Sequence, residues 1–242
     1  DDQGGAGGEH RPPHRGQISR AIEYTGGQVK KGTLRNYHQM EKRIAHAISV
    51  VFHPLLIPTY LLLLVLNLDI YFSLMIPFKG KVLMTALVFL TTAVLPSFLI
   101  MIYYRMGWIK SVYLEDRKDR MLPLFTAGLM YLVAAFMLRN LQIGTAFFFL
   151  LLGAAVITIL VMLVTNFWKI SVHAASAGGM LGAMVSVIMK YGVDMIFMVY
   201  LITLLGGIIG YARLKLKAHH PAQVYVGYVA GFISMFLLFL YL

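Results

Sequence analysis

The chain has 242 residues, is 59% hydrophobic and only 13% charged, and has a mean hydropathy of +0.75. A soluble domain carries roughly 45–50% apolar and about 25% charged residues, so both an ordinary globular domain and a disordered chain are excluded. Cysteine is absent, which removes disulfides, thiolate metal sites and cysteine nucleophiles. The excess of 21 Lys+Arg over 10 Asp+Glu suits the fixing of a membrane orientation or the binding of an anionic substrate, and nucleic acid is not expected as a partner.

Residues 1–44 read as a flexible basic tail, because the Gly, Pro, His and Arg of its first part cannot bury enough apolar surface to offset ordering. It has no apolar core of the kind a signal peptide carries. Beyond Lys42-Arg43 the composition changes, and residues 45–242 read as one transmembrane domain. About 20 apolar residues cross a hydrocarbon layer. The predicted spans, seven in number, are 45–68, 82–104, 121–138, 143–166, 173–189, 194–212 and 221–242. Continuous apolar runs without alternation favour helices, so the expected fold is an all-α, polytopic membrane helix bundle. Gly178 with Gly182, and Gly206 with Gly210, have the spacing that lets helix backbones approach; this predicts packing within the bundle and permits an oligomer without requiring one.

Charge is distributed unevenly over this topology. The tail, the loop 105–120, the segment 167–172 and the loop 213–220 fall on one side and hold 17 of the 21 Lys/Arg; Lys79, Lys81, Arg139 and Lys190 are the other 4. Basic residues mark cytoplasmic loops. The expected location is therefore a bacterial cytoplasmic membrane, with the N-terminus and the basic face toward the cytoplasm.

Three segments on the basic face carry the polar chemistry. They are Glu115-Asp116-Arg117-Lys118-Asp119-Arg120 before span three, Ser171-Val172-His173 before span five, and Arg213 through His219, His220 and Gln223 before span seven. Helix N-termini attract anions through free N–H groups and the macrodipole. Arginine offers a planar fork of donors matched to phosphate, and two histidines can divide nucleophile and acid roles. Gln223, four residues after His219, is placed to accept from its ring.

The spacing Arg213, five residues, His219 resembles the third motif of the type 2 phosphatidic acid phosphatase (lipid phosphate phosphatase) superfamily, in which Ser-Arg, five residues, His, three residues and Asp follow in order. Ser171-Val172-His173 resembles its second motif, Pro-Ser-Gly-His, and Arg117 to Pro123 stands in the place of the first. The resemblance covers roughly residues 105–231 and implies a six-helix phosphatase-like core within the bundle. It implies that His219 is the nucleophile, His173 the acid, and Arg213 with Arg117 and Arg120 the phosphate clamp, supplemented by Ser171. It implies no metal and no cofactor. The chain departs from the pattern at Ala212, Ile170, Val172 and Lys118, and Gln223 stands where the family has the Asp that orients the nucleophile. A Gln carbonyl can fix a histidine tautomer but supplies no charge.

The leading expectation is thus a lipid phosphate phosphatase acting on phosphatidic acid, phosphatidylglycerol phosphate or a polyprenyl (di)phosphate, with membrane lipids as its surroundings. The alternative is a non-catalytic lipid-phosphate-binding protein or complex subunit. A transporter is disfavoured because no inverted repeat is visible, and zinc hydrolysis because the i, i+4 histidine pair is absent. The acids of the 115–119 run read as partners for neighbouring arginines, His53-Pro54 as a kink with a satisfied histidine, and His220 as interfacial.

Overall fold

A computed structural model describes residues 38–114, 116–140 and 145–240, apart from the side chain of Phe72. Most of the predicted tail, with Lys30, Lys31 and Arg35, lies outside the described residues, as does Glu115. The chain divides into the units Asp1–Arg43 and Ile44–Leu242. All regular structure among the described residues is helical. The described helices are α1 (38–51), α2 (Ile57–Leu66), α3 (Tyr71–Leu74), α4 (Phe78–Phe89), α5 (Leu95–Arg105), α6 (Arg117–Asn140), α7 (Thr145–Phe167), α8 (Val172–Tyr191), α9 (Ile196–Lys215) and α10 (Pro221–Leu240).

A π-turn at Leu90–Val94 joins α4 to α5, so that Phe78–Arg105 forms one 28-residue span. With it, α6 to α10 are each long and apolar enough to cross a membrane, giving 6 such helices among the described residues. Large side chains such as Phe98, Phe125, Leu163, Phe197 and Leu204 face outward from these helices. Water would not tolerate so much contiguous apolar surface, whereas lipid is its natural solvent. The chain is an integral membrane protein with a polytopic helix bundle.

The first predicted span, 45–68, is not a continuous helix. It breaks over residues 52–56, between α1 and α2. Pro54 has no N–H to offer the carbonyl four residues earlier, and it disfavours helical backbone at His53. Pro58, by contrast, sits in the first turn of α2, where a missing N–H is harmless. At the far end of α2 the Leu63, Val65 and Leu66 carbonyls accept from Asn67 Nδ2, Ser73 Oγ and Lys81 Nζ, so the helix stops inside the bundle without orphaned groups. Pro96 has a comparable effect in the second span: the chain inserts the π-turn just ahead of it, and the Thr91 and Thr92 hydroxyls bond back to the Leu87 and Val88 carbonyls.

Helices α8 and α10 run parallel and touch backbone to backbone. A Cβ added at Gly178 would overlap the Tyr228 carbonyl oxygen, at Gly182 that of Phe232, and at Gly231 that of Ala175. The Ser171 N–H donates to the Gln223 carbonyl at 3.2 Å, which pins the starts of the two helices side by side. Gly178 and Gly182 pack as their spacing predicts; Gly227 and Gly231, a second pair at the same interval on α10, make the reciprocal approach to the Ser171 and Ala175 carbonyls. Gly206 and Gly210 of α9 admit the Tyr228 ring and Val224. This packing brings the N-termini of α8 and α10 and the C-terminus of α9 together at one end of the bundle.

Candidate functional site

The end that collects these termini also collects the polar residues. The helix α10 starts at Pro221, so His219 precedes it by two residues instead of lying on its face. Gln223 is the third residue of the helix and folds back across the first turn. Its Oε1 accepts from the His220 N–H at 3.2 Å, the reciprocal half of a capping box, and lies 3.0 Å from His219 Nδ1. Because a backbone N–H points at that same atom, the atom is an acceptor. The His219 proton is therefore on Nδ1 and the lone pair on Nε2. Both His219 and Gln223 are buried.

His173, in the first turn of α8, is held from across the bundle. Its Nε2–H donates to the Ser49 carbonyl of α1 at 3.1 Å, which leaves the lone pair on Nδ1. Ser49 serves a second partner, since Arg213 Nη1 donates to its hydroxyl at 3.2 Å. Ser49 thus ties the arginine and one histidine to the same turn of α1. Arg213 Nε is buried with no hydrogen-bond partner. Arg120, also buried, donates Nε to the Leu114 carbonyl at 2.6 Å. The two loops entering the site each hold one non-glycine residue at positive φ, Leu114 at 52° and Lys217 at 54°, a conformation that costs about 1 kcal/mol or more and clusters at functional sites.

The remaining sequence candidates are placed differently. Ser171 is fully buried, and its Oγ accepts from the Ala174 N–H at 3.3 Å as the N-cap of α8. Arg117 is exposed and donates Nη1 to the Phe167 carbonyl at 2.9 Å, bracing the start of α6 against the end of α7. The acids also differ from expectation. Asp119 accepts from the Lys110 N–H at 2.9 Å and Asp116 lies 3.8 Å from Lys110 Nζ, so both turn to the preceding loop and away from the arginines. Sequence reasoning missed Ser49, which no motif marks, and Lys169, whose charge acts on His219 together with those of Arg120 and Arg213.

Among the described residues, no salt bridge reaches Arg120 or Arg213. Two arginines without an ion pair among the described residues converge on two histidines, and positive charge so placed at low dielectric calls for an anion. No group of three or more metal-ligating side chains is present among the described residues. Compared with protein-family models, with curated proteins and with solved structures, the chain matches none.

Burial pushes the His219 imidazole down to about 3, and the Arg120, Arg213 and Lys169 charges act in the same direction; the Gln223 hydrogen bond opposes them. The ring is therefore neutral at any physiological pH. In ¹⁵N-histidine NMR of the detergent-solubilised protein, His219 is expected to keep an Nδ1–H tautomer from pH 8 to pH 5, with Gln223→Glu moving its titration upward. The linked stability has a definite sign. A histidine depressed from its ordinary 6.5 contributes fully above that pH and loses its contribution as pH falls toward about 3. A His219 resonance that titrates near its ordinary value would contradict this electrostatic picture.

Proposed function

We propose that the protein is an integral-membrane phosphatase that removes phosphate from a lipid phosphate through a phosphohistidine on His219. The observation that carries the reading is the meeting of the buried Arg120 and the half-buried Arg213 with His173 and a tautomer-fixed His219, with no salt bridge to either arginine among the described residues. His219 Nε2 carries the lone pair that attacks phosphorus. Arg213 and Arg120, helped by Lys169, hold the equatorial oxygens, where positioning and electrostatics supply most of the catalysis. His173, anchored through Nε2–H, works through Nδ1 as a relay: its lone pair takes the proton of the lipid phosphate monoanion and passes it to the departing lipid oxygen, and the bare Nδ1 then takes a proton from the water that hydrolyses the phosphohistidine. Ser171 and Arg117 serve the site by fixing helix ends. No metal is implied.

Phosphatidic acid, phosphatidylglycerol phosphate and polyprenyl (di)phosphates are the substrate class. Phosphate release from a panel of these by purified protein, with EDTA present, is the test; release from at least one is expected. A protein inactive on all of them, yet able to bind one, favours the second reading of a lipid-phosphate-binding protein, which Gln223 in place of a carboxylate supports.

We place the basic end at the cytoplasmic face of a bacterial inner membrane. Besides its clamp residues this end carries Arg105, Lys110, Lys118, Lys215 and Lys217 close to spans, whereas the opposite end has Lys79, Lys81, Arg139 and Lys190. Lys30, Lys31 and Arg35 add to the bias from outside the described residues. With the broken α1–α2 segment counted as a crossing, the C-terminus is extracytoplasmic. An alkaline phosphatase fusion after Leu242 is expected to be active; an inactive one, paired with a fluorescent green fluorescent protein fusion at that point, would reverse the orientation.

A further inference from the structure

His53 lies in the break between α1 and α2 and is spent neither on the anion clamp nor on helix capping. Its ring stands edge-to-face with that of His173, centroids 5.5 Å apart. Nδ1 accepts from the Leu55 N–H at 3.3 Å. That bond assigns the proton of the neutral ring to Nε2, making His53 a donor with a fixed tautomer. The residue is exposed at a groove between the α1–α2 break and the helix around the π-turn.

The groove is lined by His53, Leu56, Phe89, Ala93, Val94 and Ser97. Ala93 is buried on the inner side of the helix that Pro96 distorts, whereas Phe89, Val94 and Ser97 are exposed. One end of the groove is therefore apolar and open to lipid. At the other end, the His53 ring touches the His173 ring of the cationic cluster. An amphiphile with an anionic head matches this polarity: phosphate among Arg120, Arg213 and His219, chain along the groove. The atom joining those two parts is the ester oxygen, and the side chain at the junction is His53.

Resting on the phosphatase reading, we propose that His53 is a catalytic residue whose Nε2–H donates a hydrogen bond to the bridging ester oxygen of the lipid phosphate. No proton need leave His53. As the phosphorus–oxygen bond breaks, negative charge builds on the departing oxygen, and a preorganised donor stabilises it more in the transition state than in the bound substrate. His173 delivers the proton that makes the product alcohol, and His53 occupies the second lone pair.

The distinguishing property is dependence on the leaving group. Dodecyl phosphate departs as an alkoxide that needs help; 4-dodecyl-2-nitrophenyl phosphate carries the same chain on a phenoxide that needs little. For His53→Phe, kcat on dodecyl phosphate should fall by about 100-fold, the scale for losing one transition-state donor, while kcat on the aryl ester falls by no more than about 3-fold. His53→Gln, whose amide N–H reaches the place of Nε2, should restore a large part of the loss. An equal fall on both substrates, with an unchanged melting temperature, would make His53 a mere support for His173 and overturn the proposal. So would a His53→Gln protein no better than His53→Phe. A wild-type protein that hydrolyses neither ester nor any lipid phosphate would instead remove the phosphatase reading itself, and the proposal with it.

Discussion

Replacing His219 by alanine is expected to lower lipid phosphatase turnover by at least about 10⁴-fold, because the nucleophile and its clamp act as one unit. Two features make the effect specific. Among the described residues the His219 side chain bonds to Gln223 Oε1 alone, and the His220 N–H keeps that acceptor occupied after truncation, so no buried group is orphaned there. The backbone of α10 also begins at Pro221, beyond the substitution. The melting temperature in detergent should therefore change little while activity vanishes. Arg213→Ala should be impaired almost as severely but with a stability cost as well, since it removes the bond to Ser49 that helps hold α1 against α9. Wild-type turnover by the His219→Ala protein would end the nucleophile assignment.

The second large effect is structural. Gly231→Leu should prevent α10 from seating on α8, because even its Cβ would overlap the Ala175 carbonyl, a backbone atom that no rotamer change can move. Forcing large side chains into a packed contact costs about 1–3 kcal/mol when side chains can adjust, and more where backbone must shift. The site depends on that seating, for the Ser171 N–H to Gln223 carbonyl bond and the His219 loop both lie at the head of the same seam. Gly207→Leu is the control: nothing lies within 4 Å of its added Cβ, and the position is exposed. Thermal unfolding in micelles should show a large loss for Gly231→Leu and almost none for Gly207→Leu. Equal melting temperatures would mean that α8 and α10 are not packed through their glycines.

The bundle was readable because a membrane simplifies the code: length and apolarity alone locate the long helices, and α6 to α10 fall within a few residues of the predicted spans. The break at His53-Pro54 was harder, since proline is tolerated in many membrane helices and only the surrounding packing decides whether the chain kinks or stops. Helix pairing was half legible. Gly178 and Gly182 announced a close approach, but Gly227 and Gly231, which make the reciprocal approach from α10, look like any other small residues in an apolar run. At the site, the spacing of Gln223 from His219 gave their proximity but not its cause, which is a capping turn and not a shared helix face. Ser49 left no trace at all, because a serine carbonyl that meets a histidine 124 residues away has no sequence signature. The assignment of Arg117 to the clamp rests on the motif resemblance, and that of Asp116 and Asp119 to the arginines on adjacency in sequence; the turn into α6 points these side chains elsewhere.

The central claim is that phosphorus becomes covalently attached to His219. Protein mixed with ³²P-labelled lipid phosphate and quenched in alkali within its turnover time should retain label on the polypeptide. That label should survive base, disappear in acid as a phosphoramidate does, and be missing from the His219→Ala protein. Label that persists in His219→Ala, or rapid lipid phosphate hydrolysis with no alkali-stable label on the wild type, would contradict the account.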